Sequence, residues 1–319
     1  MKPTGFVVAL VVCALVASEA AAQYPSKPVR LIVPFPAGGA ADISARSVAL
    51  PLSQALGQPV VVDNKPGADG QIAALEVKRS APDGTMIFWG SASSLSAVPA
   101  LRKAPPYDPV ADFTPISSLG YATFFLFTHA SVPVATVKEL IDYVRANPGK
   151  LNYGSANTTS IVAMAQLLAS TNADMVHVPY KGEAQAIPDF IAGRVQAMFA
   201  TPGPTLPQAR EGRLRALAVL MPERSPMAPE VPTIVEAGYP LVSIAPWVGL
   251  FAPPNLPRAL TQRLSREINA VLLRPDVREQ HEKVGVAVRG STPEALAQFV
   301  REQLETWGRT IREAKIPQE

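Results

Sequence analysis

With 319 residues the chain has room for about two domains of ordinary size, and 48% hydrophobic against 17% charged residues excludes a disordered or tail-like protein. A net charge of only +3, scattered along the chain, gives no basic stripe for nucleic acid. The 33 prolines predict stiff, turn-rich connections.

Lys2 precedes an apolar run from Phe6 to Val16, and Ala20-Ala21-Ala22 supplies a small-residue cleavage site before Gln23. This pattern predicts a secretory signal peptide over 1–22, too short for a membrane span. The single cysteine, Cys13, lies inside it, and Val12 before it is not the small residue a lipoprotein cysteine needs. A mature chain from Gln23 then carries neither disulfide nor reactive thiol, and an exported, cysteine-free chain fits a bacterial periplasm.

Val29 to Val33 predicts a buried strand that ends in Pro34-Phe35-Pro36-Ala37-Gly38-Gly39 and feeds a helix from about Ala40 to Leu56. A strand, a glycine-containing turn and a helix start together expose unpaired backbone N–H groups, which suit an anion. Val60 to Val62 is a second short strand. It runs into the glycine-rich turn Asn64 to Gly70 and a helix through Arg79. Thr85 to Trp89 is a third strand, ending in Gly90 to Ser94. Three such passages predict a parallel sheet with helices on both faces and a ligand at the carboxyl ends of the strands.

After a proline-rich connection, Pro105 to Pro115, the apolar stretch Tyr121 to Phe127 reads as one strand. Val137 to Ala146 is an amphipathic helix. The rhythm restarts with a strand at Leu151 to Ser155, a helix at Ile161 to Ala169 and a strand at Met175 to Val178. A helix at Ala184 to Ala192 follows, then strands at Val195 to Phe199 and Leu214 to Leu220. Met221 to Pro240 is a long loop. Trp247 to Phe251 is a strand, and two helices, Arg258 to Leu273 and Pro293 to Lys315, close the chain around Val284 to Arg289. The expected class is α/β with two lobes. Pairing of Phe124–Phe127 with Val248–Phe251 would carry the chain between the lobes twice, giving a clamp with its ligand at the interface.

The chain resembles the Bug family, periplasmic substrate-binding components of tripartite tricarboxylate transporters. The stretches that carry the resemblance are VPFPAGGAAD at 33–42, NKPGADG at 64–70, YDPVADFTPIS at 107–117, LNYGS at 151–155, HVPYKG at 177–182, RLRALAV at 213–219 and VPTIVEAGYP at 231–240. The resemblance implies a two-lobed Venus-flytrap fold of the periplasmic-binding-protein type, with two hinge-crossing strands. Lobe 1 would comprise 23–122 and 248–319, and lobe 2 would comprise 123–247. It also implies capture of a small organic acid or amino acid for delivery to membrane permease subunits, by a monomer with no cofactor, no metal and no nucleic-acid partner. The implied ligand contacts are Phe35, Ala37, Gly38, Gly39, Asp42, Gly67, Ala68, Asp69, Gly70, Ser91 and Ser93 from the first lobe. From the second they are Ser155, Ala156, Thr158, Thr159, Tyr180 and Thr201. The chain departs from the family at Asp69, where glycine is usual, at Ala156 to Thr159, and at Ala200-Thr201, where an acid is frequent.

Asp42 has two readings, a carboxylate that satisfies the first turn of its own helix or one that faces the ligand. If Asp42 and Asp69 both face the cleft, a monocarboxylate or amino-bearing ligand is favoured over a tricarboxylate. Two unit charges ~5 Å apart at an effective dielectric near 20 interact by about 3 kcal/mol. Tyr180 and Trp247 read as packing residues ahead of ligand platforms, although Tyr180 follows a strand end from which its ring could close over a ligand, and His177 reads as a core residue in a buried strand. No G-x-S-x-G elbow, H-E-x-x-H or G-x-G-x-x-G after a strand is present, so an exported enzyme is disfavoured. A ligand-sensing partner of a receptor would use the same fold.

Overall fold

The computed structural model describes residues 24–313 apart from 241, 243 and 245, together with 316 and 318. The signal peptide expected over 1–22, with Cys13, lies outside the described residues. In chain order the first elements are β1 (Val29–Val33), α1 (Ala40–Leu56), β2 (Val60–Asn64), α2 (Gln71–Lys78) and β3 (Met86–Ser91). A π-helical turn at Ser93–Ala97 then leads into the short helix α3 (Val98–Leu101). β1 pairs in parallel with both β2 and β3. Its alternation sends Val29, Leu31 and Val33 to one side, with Val48 and Leu52 of α1, and Ile32 to the other, with Ala73 and Val77 of α2. Cover on both faces is why VRLIV is an almost unbroken apolar run.

β4 (Thr114–Ala122) and β5 (Phe125–His129) come next. The stretch expected as one strand, Tyr121–Phe127, is therefore the end of one strand and most of another, and the two belong to different sheets. Tyr121 pairs with Trp247, whereas Phe125 pairs with Ala200 and Val219. At the break, Thr123 donates its N–H to Gly285 O at 2.6 Å and Phe124 O accepts from Leu220 N at 2.7 Å. Thr123 to Phe127 are all buried, so hydrophobic pattern alone does not mark where the chain changes sheet.

The next elements are α4 (Val137–Ala146), β6 (Asn152–Ser155), α5 (Thr158–Thr171), β7 (Val176–Pro179), α6 (Glu183–Ile191), β8 (Ala197–Ala200), α7 (Pro202–Arg210) and β9 (Leu214–Val219). Then follow β10 (Trp247–Ala252), α8 (Arg258–Leu272), α9 (Pro275–Lys283), β11 (Val286–Val288) and α10 (Pro293–Glu313). One sheet runs β11-β4-β10-β3-β1-β2 and the other β7-β6-β8-β5-β9. β10 lies antiparallel between β3 and β4, so the expected pairing of Phe124–Phe127 with Val248–Phe251 is not made. The chain leaves the first sheet after Ala122 and returns to it at Trp247.

Sequence pattern missed two helices. α7 carries Pro202, Pro204 and Pro207, but Pro202 stands at the first helical position, where no intrahelical N–H is needed. α9 buries only Val277 and His281, too few residues to show a period.

Candidate functional site

The carboxyl ends of the parallel strands in both sheets face one cleft, which encloses ≈ 890 Å³ including its open mouth. Four helices begin there. α1 presents Ala40 and Ala41, α5 presents Asn157 and Thr159, α6 presents Glu183 and Ala184, and α7 presents its N-cap Thr201. The first N–H groups of a helix lack intrahelical acceptors and carry the positive end of its dipole, which biases the cleft toward anions. α1 offers the freest donors, because Pro202 and Pro204 bring no N–H to α7, Thr201 N is bonded to Glu183, and Asn157 caps Ser160 N of α5.

Its walls are aromatic. Phe35 meets Trp89 edge to face with centroids 6.0 Å apart. Trp247 is buried and donates its Nε1–H to Ser96 Oγ at 3.3 Å, and Phe124 adds a third surface. Hydroxyls of Ser91, Ser93, Thr159 and Thr201 supply most of the side-chain polarity. The two sides touch each other across the cleft. Ser93 Oγ lies 3.0 Å from Thr159 Oγ1, both buried, and a β-carbon at Gly182 would lie 3.9 Å from Pro36 Cγ. The conformation is closed.

Among the described residues that line the cleft, Glu183 is the one ionisable side chain. It is half-buried in the first turn of α6. Thr201 N donates to its Oε1 at 2.8 Å, and Thr201 Oγ1 donates to its Oε2. Burial pushes its pKa above the ordinary value of 4.5, and the bonds from Thr201 only partly offset that rise.

Of the residues expected to touch ligand, Phe35, Ala37, Gly39, Ser91, Ser93, Ala156, Thr159 and Thr201 line the cleft. The others stand behind it or aside. Asp42 is buried but turned onto its own helix start. It accepts from Gly38 N at 2.9 Å and from Arg46 Nε at 3.0 Å, which also fixes Gly38. Burial raises its pKa, yet the bonds from Arg46 and Gly38 outweigh that and hold it below 3.8. Asp69 is exposed on a left-handed turn with Ala68, next to Gly67, and Gly70 packs so tightly that a β-carbon would lie 2.8 Å from Ser94 Cβ and 2.9 Å from Pro34 Cβ. Ser155 Oγ bonds His177 Nε2 at 2.6 Å, and Tyr180 donates its hydroxyl to Asp189 Oδ2 at 2.9 Å. Thr158 is buried at the start of α5. His177 is not a core residue. It is exposed on the edge strand β7 and stacks on Tyr153 at 4.8 Å.

Sequence reasoning did not single out Trp89, Phe124, Asn157 or Glu183, and weighed Trp247 as a packing residue ahead of a ligand platform. Aromatic residues in buried strands give no sign of which one ends at a cleft. Among the described residues no three His, Cys, Asp or Glu side chains gather to hold a metal, and no helix is long and apolar enough to cross a membrane.

A sequence model of the family described as "Tripartite tricarboxylate transporter family receptor" matches residues 44–316. Protein BugT of Bordetella pertussis is 33% identical over 305 residues, which span 94% of this chain and 93% of that protein. Among solved structures, MatC (Rpa3494) from Rhodopseudomonas palustris, with bound malate, is 31% identical, with a TM-score of 0.82 over 90% of this chain and 100% of that one. The R. palustris protein Rpa4515, with adipate, is 30% identical, with a TM-score of 0.86 over 92% of this chain and 99% of that one.

Proposed function

Since this chain belongs to the tripartite tricarboxylate transporter receptor family, we propose that its cleft captures a small carboxylate-bearing ligand and hands it to membrane permease subunits, the protein acting in the periplasm as a monomer and without catalysis. The observation that carries the reading is the convergence of four helix N-termini on one aromatic-walled cleft. A carboxylate needs N–H and O–H donors for its oxygens, and an aromatic wall suits the apolar body behind it. Malate in MatC and adipate in Rpa4515 are both carboxylates.

In this reading the carboxylate sits against the start of α1, where Ala37, Gly39, Ala40 and Ala41 offer backbone and Ser91 and Ser93 offer hydroxyls. Charge on the carboxylate is met by aligned peptide dipoles, so no lysine or arginine is required. Ala156, Thr159 and Thr201 grip the rest of the ligand from the other side. The two crossings between sheets act as the hinge that admits and encloses it.

A thermal-shift screen of the chain from Gln23 against carboxylates, amino acids and aromatic acids tests this. A ligand at a hundred times its Kd stabilises by roughly 2.7 kcal/mol. For a protein of this size that is a shift of about 4 °C. If no acid in the panel moves the transition, the reading fails. Loss of ligand uptake on gene deletion supports delivery to a permease, whereas uptake left intact argues against it.

A further inference from the structure

The charge pattern of the cleft is one-sided. Its lining includes no lysine, arginine or histidine among the described residues, and its single ionisable group is an acid. The cations nearest in sequence to the first-lobe loops are engaged elsewhere. Arg46 bonds Asp42, and Lys65 lies 3.8 Å from Asp63 and 3.6 Å from Glu76. A monocarboxylate is served by the start of α1. A second carboxylate beside Glu183 would meet no cation of the cleft lining, since Lys181, two residues before it, is exposed and outside that lining.

Glu183 is also held ready to accept. Thr201 uses one acceptor direction on each carboxylate oxygen, through its N–H and its hydroxyl, and so fixes the plane of the group. A carboxylate has about four acceptor directions, so roughly two remain for a ligand. A fixed acid and the start of α1 on the walls of one aromatic-lined cleft give the site a negative and a positive pole.

Building on the carboxylate reading of this cleft, we propose that Glu183 selects zwitterions, a carboxylate seated at the N-terminus of α1 and an ammonium group received by Glu183. Dicarboxylates of the kind bound by MatC and Rpa4515 are then disfavoured here. The cost of half-burying an unpaired acid is relieved when the ammonium arrives. Phe35, Trp89 and Trp247 surround the apolar chain between the two poles, and an ammonium near an aromatic face gains further attraction.

Calorimetry with matched probes tests this: ω-amino acids against α,ω-dicarboxylates of the same length, from three to six carbons, on the wild-type chain and on Glu183→Gln. In the wild type the amino acid of at least one pair should bind about tenfold or more tighter than its dicarboxylate. In Glu183→Gln that ratio should fall toward one or invert. Equal or tighter dicarboxylate binding by the wild type overturns the proposal, and this outcome does not depend on the variant folding. A ratio that Glu183→Gln leaves unchanged also overturns it, and reduces Glu183 to a structural partner of Thr201. If no probe of either series binds, the zwitterion proposal falls. The carboxylate reading itself falls only if the broader acid panel fails as well.

Discussion

The hydrogen bond between Ser93 and Thr159 offers a direct measure of what holds the cleft shut. The two hydroxyls are 3.0 Å apart, each residue is 3% exposed, and they reach each other from opposite sides of the cleft. Opening the cleft returns both to water, so their bond counts only in the closed form. Thr159→Val replaces the hydroxyl with a methyl of similar shape and leaves Ser93 Oγ without this partner. A neutral bond is worth about 1 kcal/mol net, and a stranded buried hydroxyl costs about 1–3 kcal/mol. A loss near 1.4 kcal/mol shifts the closed-to-open ratio tenfold, and apparent affinity follows the closed population once that falls below about half. Ser93→Ala strands Thr159 in the same way. The double variant strands neither, so it should cost less than the two single losses together, with a coupling of about 1 kcal/mol. The assay is calorimetric affinity for whichever acid the thermal screen selects, combined with small-angle scattering of the unliganded chain. The single variants should bind about tenfold more weakly and show a larger radius of gyration. Strictly additive affinity losses with an unchanged radius would mean that each hydroxyl acts on the ligand alone, and would refute the latch.

Gly120→Ala should destabilise the whole fold. Its φ is +132°, and a β-carbon there would sit 1.9 Å from Ala287 O, the backbone that pairs β11 with β4. Backbone strain and overpacking together predict a loss of about 2–5 kcal/mol in urea denaturation, and a loss below 1 kcal/mol would contradict the geometry. Arg46→Ala removes the cation from buried Asp42. Because the folded pKa of Asp42 lies below 3.8, its contribution is present above that value and is lost as pH falls through the lower folded pKa. Arg46 is more than half exposed, so the variant should lose only about 1 kcal/mol at pH 7. Its thermal transition should approach that of the wild type below about pH 4. A gap that widens in acid would reverse the sign of the argument.

The α/β alternation was legible where a strand is a short apolar run stopped by glycine or proline, as at β1, β3 and β10, and β1 announces itself as a doubly covered strand. What the pattern does not carry is sheet membership. Tyr121 and Phe125 are equally suited to a strand, and only the backbone partners Trp247 and Ala200 separate them. The glycine loops were legible as loops, but not their division of labour. Gly39 borders the cleft, while Gly70 makes room for Pro34 and Ser94 to pack. Both requirements select glycine for close approach, so the residue type cannot tell ligand from neighbour.

The charge of the cleft is where reading and structure diverge most, and the cause is local. Asp42 and Glu183 stand in the same sequence setting, an acid in the first helical turn after a glycine-containing loop that follows a strand. Asp42 has Arg46 one helical turn onward, and the pair closes on itself over Gly38. Glu183 has Ile187 at that position, which is buried in a core cluster with Phe125 and Phe190 and offers no charge. Without a cation on its own helix, the carboxylate takes Thr201 from the neighbouring helix start and stays at the cleft wall. The signal that separates the two acids is therefore the residue four places on. It moves the charge question from Asp42 and Asp69 to Glu183, the one acid among the described residues that line the cleft, and the ligand that satisfies Glu183 is one that brings its own positive charge.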